Sequence, residues 1–179
     1  MNKMKLFLPA LSLIFAFAAC NQTEQKTETA AATDSVSVST PIEIELKDSN
    51  VDMAYDQYLQ LKDVLILSDS VQTRTSAKLL VGTLAKITGS ESTAKLANDI
   101  ANEISLSKQR VIFTSLSNEL IELFKKSEIT SGSMFVQFCP MANEGEGGYW
   151  LASETEIKNP YYGDEMLNCG EVKETIEKK

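Results

Sequence analysis

Residues 107–126 read SKQRVIFTSLSNELIELFKK, and the spacing within them decides the kind of fold this chain can make. Ile112, Leu116, Leu120 and Leu123 recur at steps of three and four, with Phe113 and Phe124 beside them, which is one apolar stripe on a helix. Such a stripe has to be laid against other elements. Towards the N-terminus three partners repeat the pattern. Val51, Tyr55, Tyr58, Leu61 and Leu65 form one face. Ala77, Leu80, Leu84 and Ile87 form a second, behind a cap at Asp69 or Ser70 and ahead of Gly89, which suits a helix end. A third helix begins near residues 90–92 and lines up Leu96, Ile100 and Ile104, flanked by Ala97 and Ala101. Short connections make neighbours antiparallel. The expected fold is mainly α: an antiparallel four-helix bundle with a small irregular C-terminal β/loop unit.

That C-terminal unit begins after Gly132. Residues 134–138 (MFVQF) are short and β-prone, residues 143–148 (NEGEGG) read as a turn, and extended character resumes at Tyr149-Trp150-Leu151 and again over 171–176. Between the strands, Asn159-Pro160-Tyr161-Tyr162-Gly163 is a turn, because proline holds the residue before it extended and glycine tolerates unusual backbone angles. Trp150, Tyr161 and Tyr162 are expected to pack over the end of the bundle.

Two short strings in this region carry soft chemistry. Cys139-Pro140-Met141 and Met166-Leu167-Asn168-Cys169 bring two thiols and two thioethers to the ends of one excursion of the chain. Thiolate and thioether ligands select soft ions, so Cys139, Met141, Met166 and Cys169 are a candidate ligand set for a soft metal ion such as Cu(I). No histidine is needed for that cage, and the chain has none. The competing reading is a Cys139–Cys169 disulfide, the default for two cysteines in an oxidising compartment, with the methionines as packing. Lack of histidine also disfavours most zinc enzymes and His-dependent acid–base catalysis. Glu144, Glu146, Asp164 and Glu165 read as a charged surface rather than a paired acid and base, and no enzyme is expected. Gly145, Gly147 and Gly148 lack the spacing of a phosphate-cradling loop.

The N-terminus predicts where the protein works. Lys3 and Lys5 precede an uncharged apolar run over 6–17, followed by Ala18, Ala19 and Cys20. This is the order of a secretory signal, too short for a permanent membrane span. Residues 1–19 are expected to be a lipoprotein signal peptide, and Phe17-Ala18-Ala19-Cys20 resembles a lipobox that makes Cys20 the lipidated first residue. Residues 20–47 contain no aromatic side chain and are rich in Thr, Ser, Ala, Gln and Glu, the composition of a disordered tether. Residues 48–179 are then one domain. Without the leader, fifteen basic residues stand against twenty-five acidic ones, a net charge of −10 that repels nucleic acid. The expected location is the envelope, lipid-anchored in the outer membrane and facing the periplasm.

Four C-terminal strings together resemble a known family: Cys139-Pro140-Met141-Ala142, Trp150-Leu151-Ala152-Ser153, residues 157–163 (IKNPYYG) and residues 166–170 (MLNCG). The helical part, with residues 58–63 (YLQLKD) and 113–117 (FTSLS), is similar to it too. The family is a domain of unknown function found in bacterial lipoproteins and at the C-terminal end of periplasmic copper/silver-efflux adaptor proteins. The resemblance implies a helical bundle bearing the Cys/Met segment, a link to heavy-metal handling, and a metal-efflux adaptor or other envelope protein as partner. Many relatives carry histidines in the bundle, and this chain departs from them. Two functions are therefore expected as alternatives: a soft-metal-binding or metal-efflux accessory lipoprotein, or a non-catalytic interaction module stapled by Cys139 and Cys169.

Overall fold

A computed structural model of the chain describes residues 44–178. The signal peptide, Cys20 and most of the tether lie outside the described residues. Among the described residues no helix is long and apolar enough to cross a membrane.

The protein is mainly helical. Helix α1 (Ser49–Ile66) is started by Asp48, whose carboxylate accepts from the main-chain N–H groups of Asn50 and Val51 at 2.9 and 3.3 Å. This satisfies donors that the first turn leaves without helical partners. Helix α2 (Ser70–Leu84) is capped in the same way by Asp69, at 3.0 and 2.9 Å from the N–H groups of Val71 and Gln72. Helices α3 (Glu91–Asn102) and α4 (Leu106–Lys126) follow. The face expected for α1 is buried in full, as are Ala77, Leu80 and Leu84 of α2. Gly89 takes a left-handed φ of 84° in the turn before α3, and Ile87, beyond the end of α2, is only partly buried.

Two expected faces are corrected. Ile104 is not part of the third stripe: α3 ends at Asn102 and Ile104 is 75 % exposed, so Thr93, Ala97 and Ile100 make the buried face. On α4 the wholly buried line is Phe113, Leu116, Leu120 and Phe124, while Ile112 and Leu123 sit at its margin. Aromatic packing turns the helix this way. Phe113 stacks on Tyr58 with centroids 5.5 Å apart, and Tyr55 meets Phe124 edge-on at 5.3 Å. Large rings contribute more buried area than aliphatic neighbours and claim the centre of the interface.

Each helix packs on the next in the chain, and α4 also meets α1. A three-stranded antiparallel sheet completes that side. Its order is β4 (Gly148–Ala152), β3 (Ser133–Cys139), β5 (Glu171–Glu177), with β3 central. The sheet lies along the flank of the helices rather than over one end. Strand β4 packs on α4, and the main-chain N–H of Leu151 donates to the hydroxyl of Tyr58, midway along α1, at 3.0 Å. The same hydroxyl shares a hydrogen bond with Ser117 of α4 at 2.8 Å, so one buried phenol joins both helices and the sheet. Strand β5 is an edge, mostly exposed and rich in charge (EVKETIE), which discourages pairing with other chains.

The ordered domain starts earlier than the expected boundary at residue 48. Glu45–Leu46 (β1) pairs antiparallel with Ile129–Ser131 (β2), and Ile44, Leu46 and Ile129 are buried. Ile42, Ile44 and Leu46 alternate with Glu43 and Glu45, a period-two signal that the polar composition around it masks, and a partner strand across the fold buries Ile44 and Leu46.

Candidate functional site

The expected sulfur cluster is built from opposite ends of one long excursion. Cys139 is the last residue of β3, where it pairs with Gly148 of β4, and it is fully buried. Cys169 lies just before β5 and is half-buried. Their Sγ atoms are 2.7 Å apart. The hydrogen bond with Cys139, followed by burial, pushes the Cys169 thiol above its ordinary pKa, while a hydrogen bond from the Met141 main chain pulls the other way.

The strap that returns the chain from β4 to β5, residues 153–170, is held by polar anchors. Asn159 is fully buried. Its Nδ2 donates to the carbonyl of Cys169, its Oδ1 accepts from the N–H of Tyr161, and its own N–H donates to the carbonyl of Leu167, each at 2.8 Å. Gln137, fully buried in β3, donates through Nε2 to the carbonyls of Glu154 and Glu156 at 2.8 and 3.2 Å. Arg110 of α4 donates through Nε to the carbonyl of Pro160 at 2.9 Å, and through Nη2 to the carbonyl of Leu65 and the hydroxyl of Ser68 at 3.0 and 2.9 Å. Lys62 of α1 is buried with Nζ 3.2 Å from Glu154 and 3.1 Å from Asp63. Burial works to raise the Glu154 carboxyl, but the Ser153 hydroxyl and the Lys62 ammonium outweigh it and hold the group below its ordinary pKa.

Close packing finishes the placement. Tyr161 packs against Phe113 and Trp150, with centroids 5.9 Å away in both cases, and its hydroxyl donates to the carbonyl of Tyr149 at 2.6 Å. Trp150 is fully buried, so it serves packing rather than a ligand-facing surface. Gly163 has φ +58°, and a Cβ there would stand 2.6 Å from the carbonyl oxygen of Ile66, an approach that only glycine permits.

The methionines belong to the same neighbourhood through their main chains. The carbonyl of Met166 accepts from the N–H of Cys169 at 3.0 Å, and that of Met141 accepts from the hydroxyl of Tyr162 at 2.5 Å. Their side chains are 36 and 52 % exposed. Among the described residues, no group of three or more His, Cys, Asp or Glu side chains is placed to hold a metal ion. A sulfur ligand stands ~2.3 Å from an ion such as zinc, so one ion touching both cysteine sulfurs would make a strongly acute angle at the metal unless the sulfurs moved apart. The arrangement is suited to forming one S–S bond and, with the sulfurs parted, to offering two thiolates to a soft ion with two thioethers at the rim.

The spacing of the cysteines pointed to this pair, but the residues that position it went unread. Gln137 is the polar member of an otherwise apolar β-run, and that was the signal available for it. Asn159 read only as a turn residue, and Arg110 and Lys62 had no role assigned to them.

Residues 54–132 match a family described as a protein of unknown function (DUF3347). The match runs from within α1 to the residue before β3 and stops short of both cysteines. No curated protein and no solved structure matches the chain.

Proposed function

We propose that this chain is a non-catalytic lipoprotein of the bacterial envelope, an interaction module whose C-terminal strap is stapled by a Cys139–Cys169 disulfide. The observation that carries this reading is the 2.7 Å approach of two sulfurs thirty residues apart in sequence. In an export compartment such a pair oxidises by default. Closing a loop of that length contributes about 3–4 kcal/mol in the chain-entropy picture. Lipid on Cys20 holds the domain at the outer membrane on a tether, and a second envelope protein is its partner. Thiol titration of protein taken directly from the envelope, in denaturant, tests the staple. The expected result is no titratable thiol, with Cys20 occupied by lipid and the other two joined. Two free thiols per chain would end this reading.

A second reading is favoured by the exposed thioethers. Met141 and Met166 flank the pair and are tied to its loop by main-chain hydrogen bonds. Reduced Cys139 and Cys169, with these two methionines, make a soft-donor set for Cu(I) or Ag(I), which suits an accessory of metal efflux. Competition between the reduced domain and a Cu(I) chelator decides it. Transfer of one ion per chain supports the cage, and no transfer at micromolar protein removes it.

A further inference from the structure

We infer that Cys169 is the sulfur through which the pair exchanges with an external disulfide or thiol, and that Cys139 is the resolving sulfur, reached only from within. The inference rests on the stapled reading above. Cys139 closes the central strand of the sheet, is covered on every side, and has no exposed surface. Cys169 sits in the loop before the edge strand and keeps part of its surface exposed. The two sulfurs are already in contact, so the second step needs no rearrangement of the chain.

The chemistry is ordinary thiol–disulfide exchange. On oxidation, the Cys169 thiolate attacks one sulfur of an external disulfide. A mixed disulfide forms, and the displaced partner sulfur leaves with the electron pair and takes up a proton. Cys139, as its thiolate, then attacks Cys169 Sγ, forming the internal bond and expelling the second partner thiolate. Two electrons pass from the protein pair to the external disulfide. Reduction by an external dithiol runs the same path backwards, with attack on Cys169 Sγ and departure of Cys139.

The test uses the full chain in detergent with Cys20→Ser, which removes the third thiol, and oxidised glutathione as the probe. After reduction and acid quench at short times, the transient glutathione adduct is mapped to its cysteine. Two further variants, Cys139→Ser and Cys169→Ser, isolate each sulfur. The expected outcome is a transient adduct on Cys169 that gives way to the internal disulfide. Cys139→Ser should add glutathione at least about tenfold faster than Cys169→Ser in native buffer, and at a similar rate in denaturant. An adduct found on Cys139, or equal native rates with the internal disulfide still forming, overturns this inference alone. Failure of the two-cysteine protein to form any internal disulfide overturns the stapled reading, and the exchange with it. The mapping in the two-cysteine protein needs neither single variant, so misfolding of one of them leaves the test intact.

Discussion

Asn159 illustrates how a single side chain places the sulfur pair. A buried amide has two donors and an acceptor to satisfy, and here one donor and the acceptor are used to hold the Cys169 carbonyl and the Tyr161 N–H in fixed positions. Asn159→Ala leaves both of those main-chain groups without their partner in a dry interior. The expected loss is about 2–3 kcal/mol, read by urea denaturation with Trp150 fluorescence. Asn159→Asp keeps the acceptor for Tyr161 but buries a carboxylate with one oxygen against the Cys169 carbonyl, so it should cost at least as much as alanine. A stability loss within error for alanine would mean that the strap is held by its packing and not by this amide.

At the scale of elements, the strap over 153–170 is the segment that depends most on others. It has little regular structure of its own, a single 3-10 turn at Gly163–Glu165, and is carried by bonds from α1, α4 and β3. Arg110 matters most in this, since its planar fork spans three acceptors on two segments. A lysine at that position has a single point charge and cannot reach all of them. Arg110→Lys is expected to cost about 1–2 kcal/mol overall. Its signature is regional: hydrogen exchange should quicken across 153–170 while α1 stays protected. Equal loss of protection in α1 and the strap would show that the two open as one unit.

The whole molecule is joined through a layer of phenols. Tyr55 and Tyr58 of α1 and Tyr161 of the strap meet where helices, sheet and strap converge, and burial pushes each phenol well above its ordinary pKa of 10.0. In the unfolded chain these groups lose their protons near pH 10, whereas in the folded protein they keep them. Above that pH the unfolded state binds fewer protons than the folded one, so stability is intact below pH 10 and falls as pH rises. The slope is up to about 1.4 kcal/mol per pH unit for each tyrosine. Urea denaturation at stepped pH should show this decline, and alkaline titration should show these phenolates appearing together with the loss of helical circular dichroism. Phenolate absorbance from all the tyrosines at pH 10, with the helices intact, would contradict the buried layer.

Helix content, the start of α2 at Asp69 and the positions of β3, β4 and β5 are local properties of the chain. Periodicity, capping and turn residues act over a few positions, and for that reason they were legible before any fold was known. That Cys139 and Cys169 come together was common to both readings of the segment, a metal cage and a disulfide, because residue type names the chemistry without placing the atoms. Other features depended on the tertiary structure. Phe113 and Phe124 replace Ile112 and Leu123 at the centre of α4 because rings on α1 lie opposite them. Ile44 and Leu46 join the domain because Ile129, far along the chain, offers a strand. Gln137, Asn159 and Arg110 become structural anchors only when carbonyls from distant segments arrive beside them. A buried polar group is defined by its partner, and that partner is set by the path of the chain through space rather than by the residues next to it in sequence.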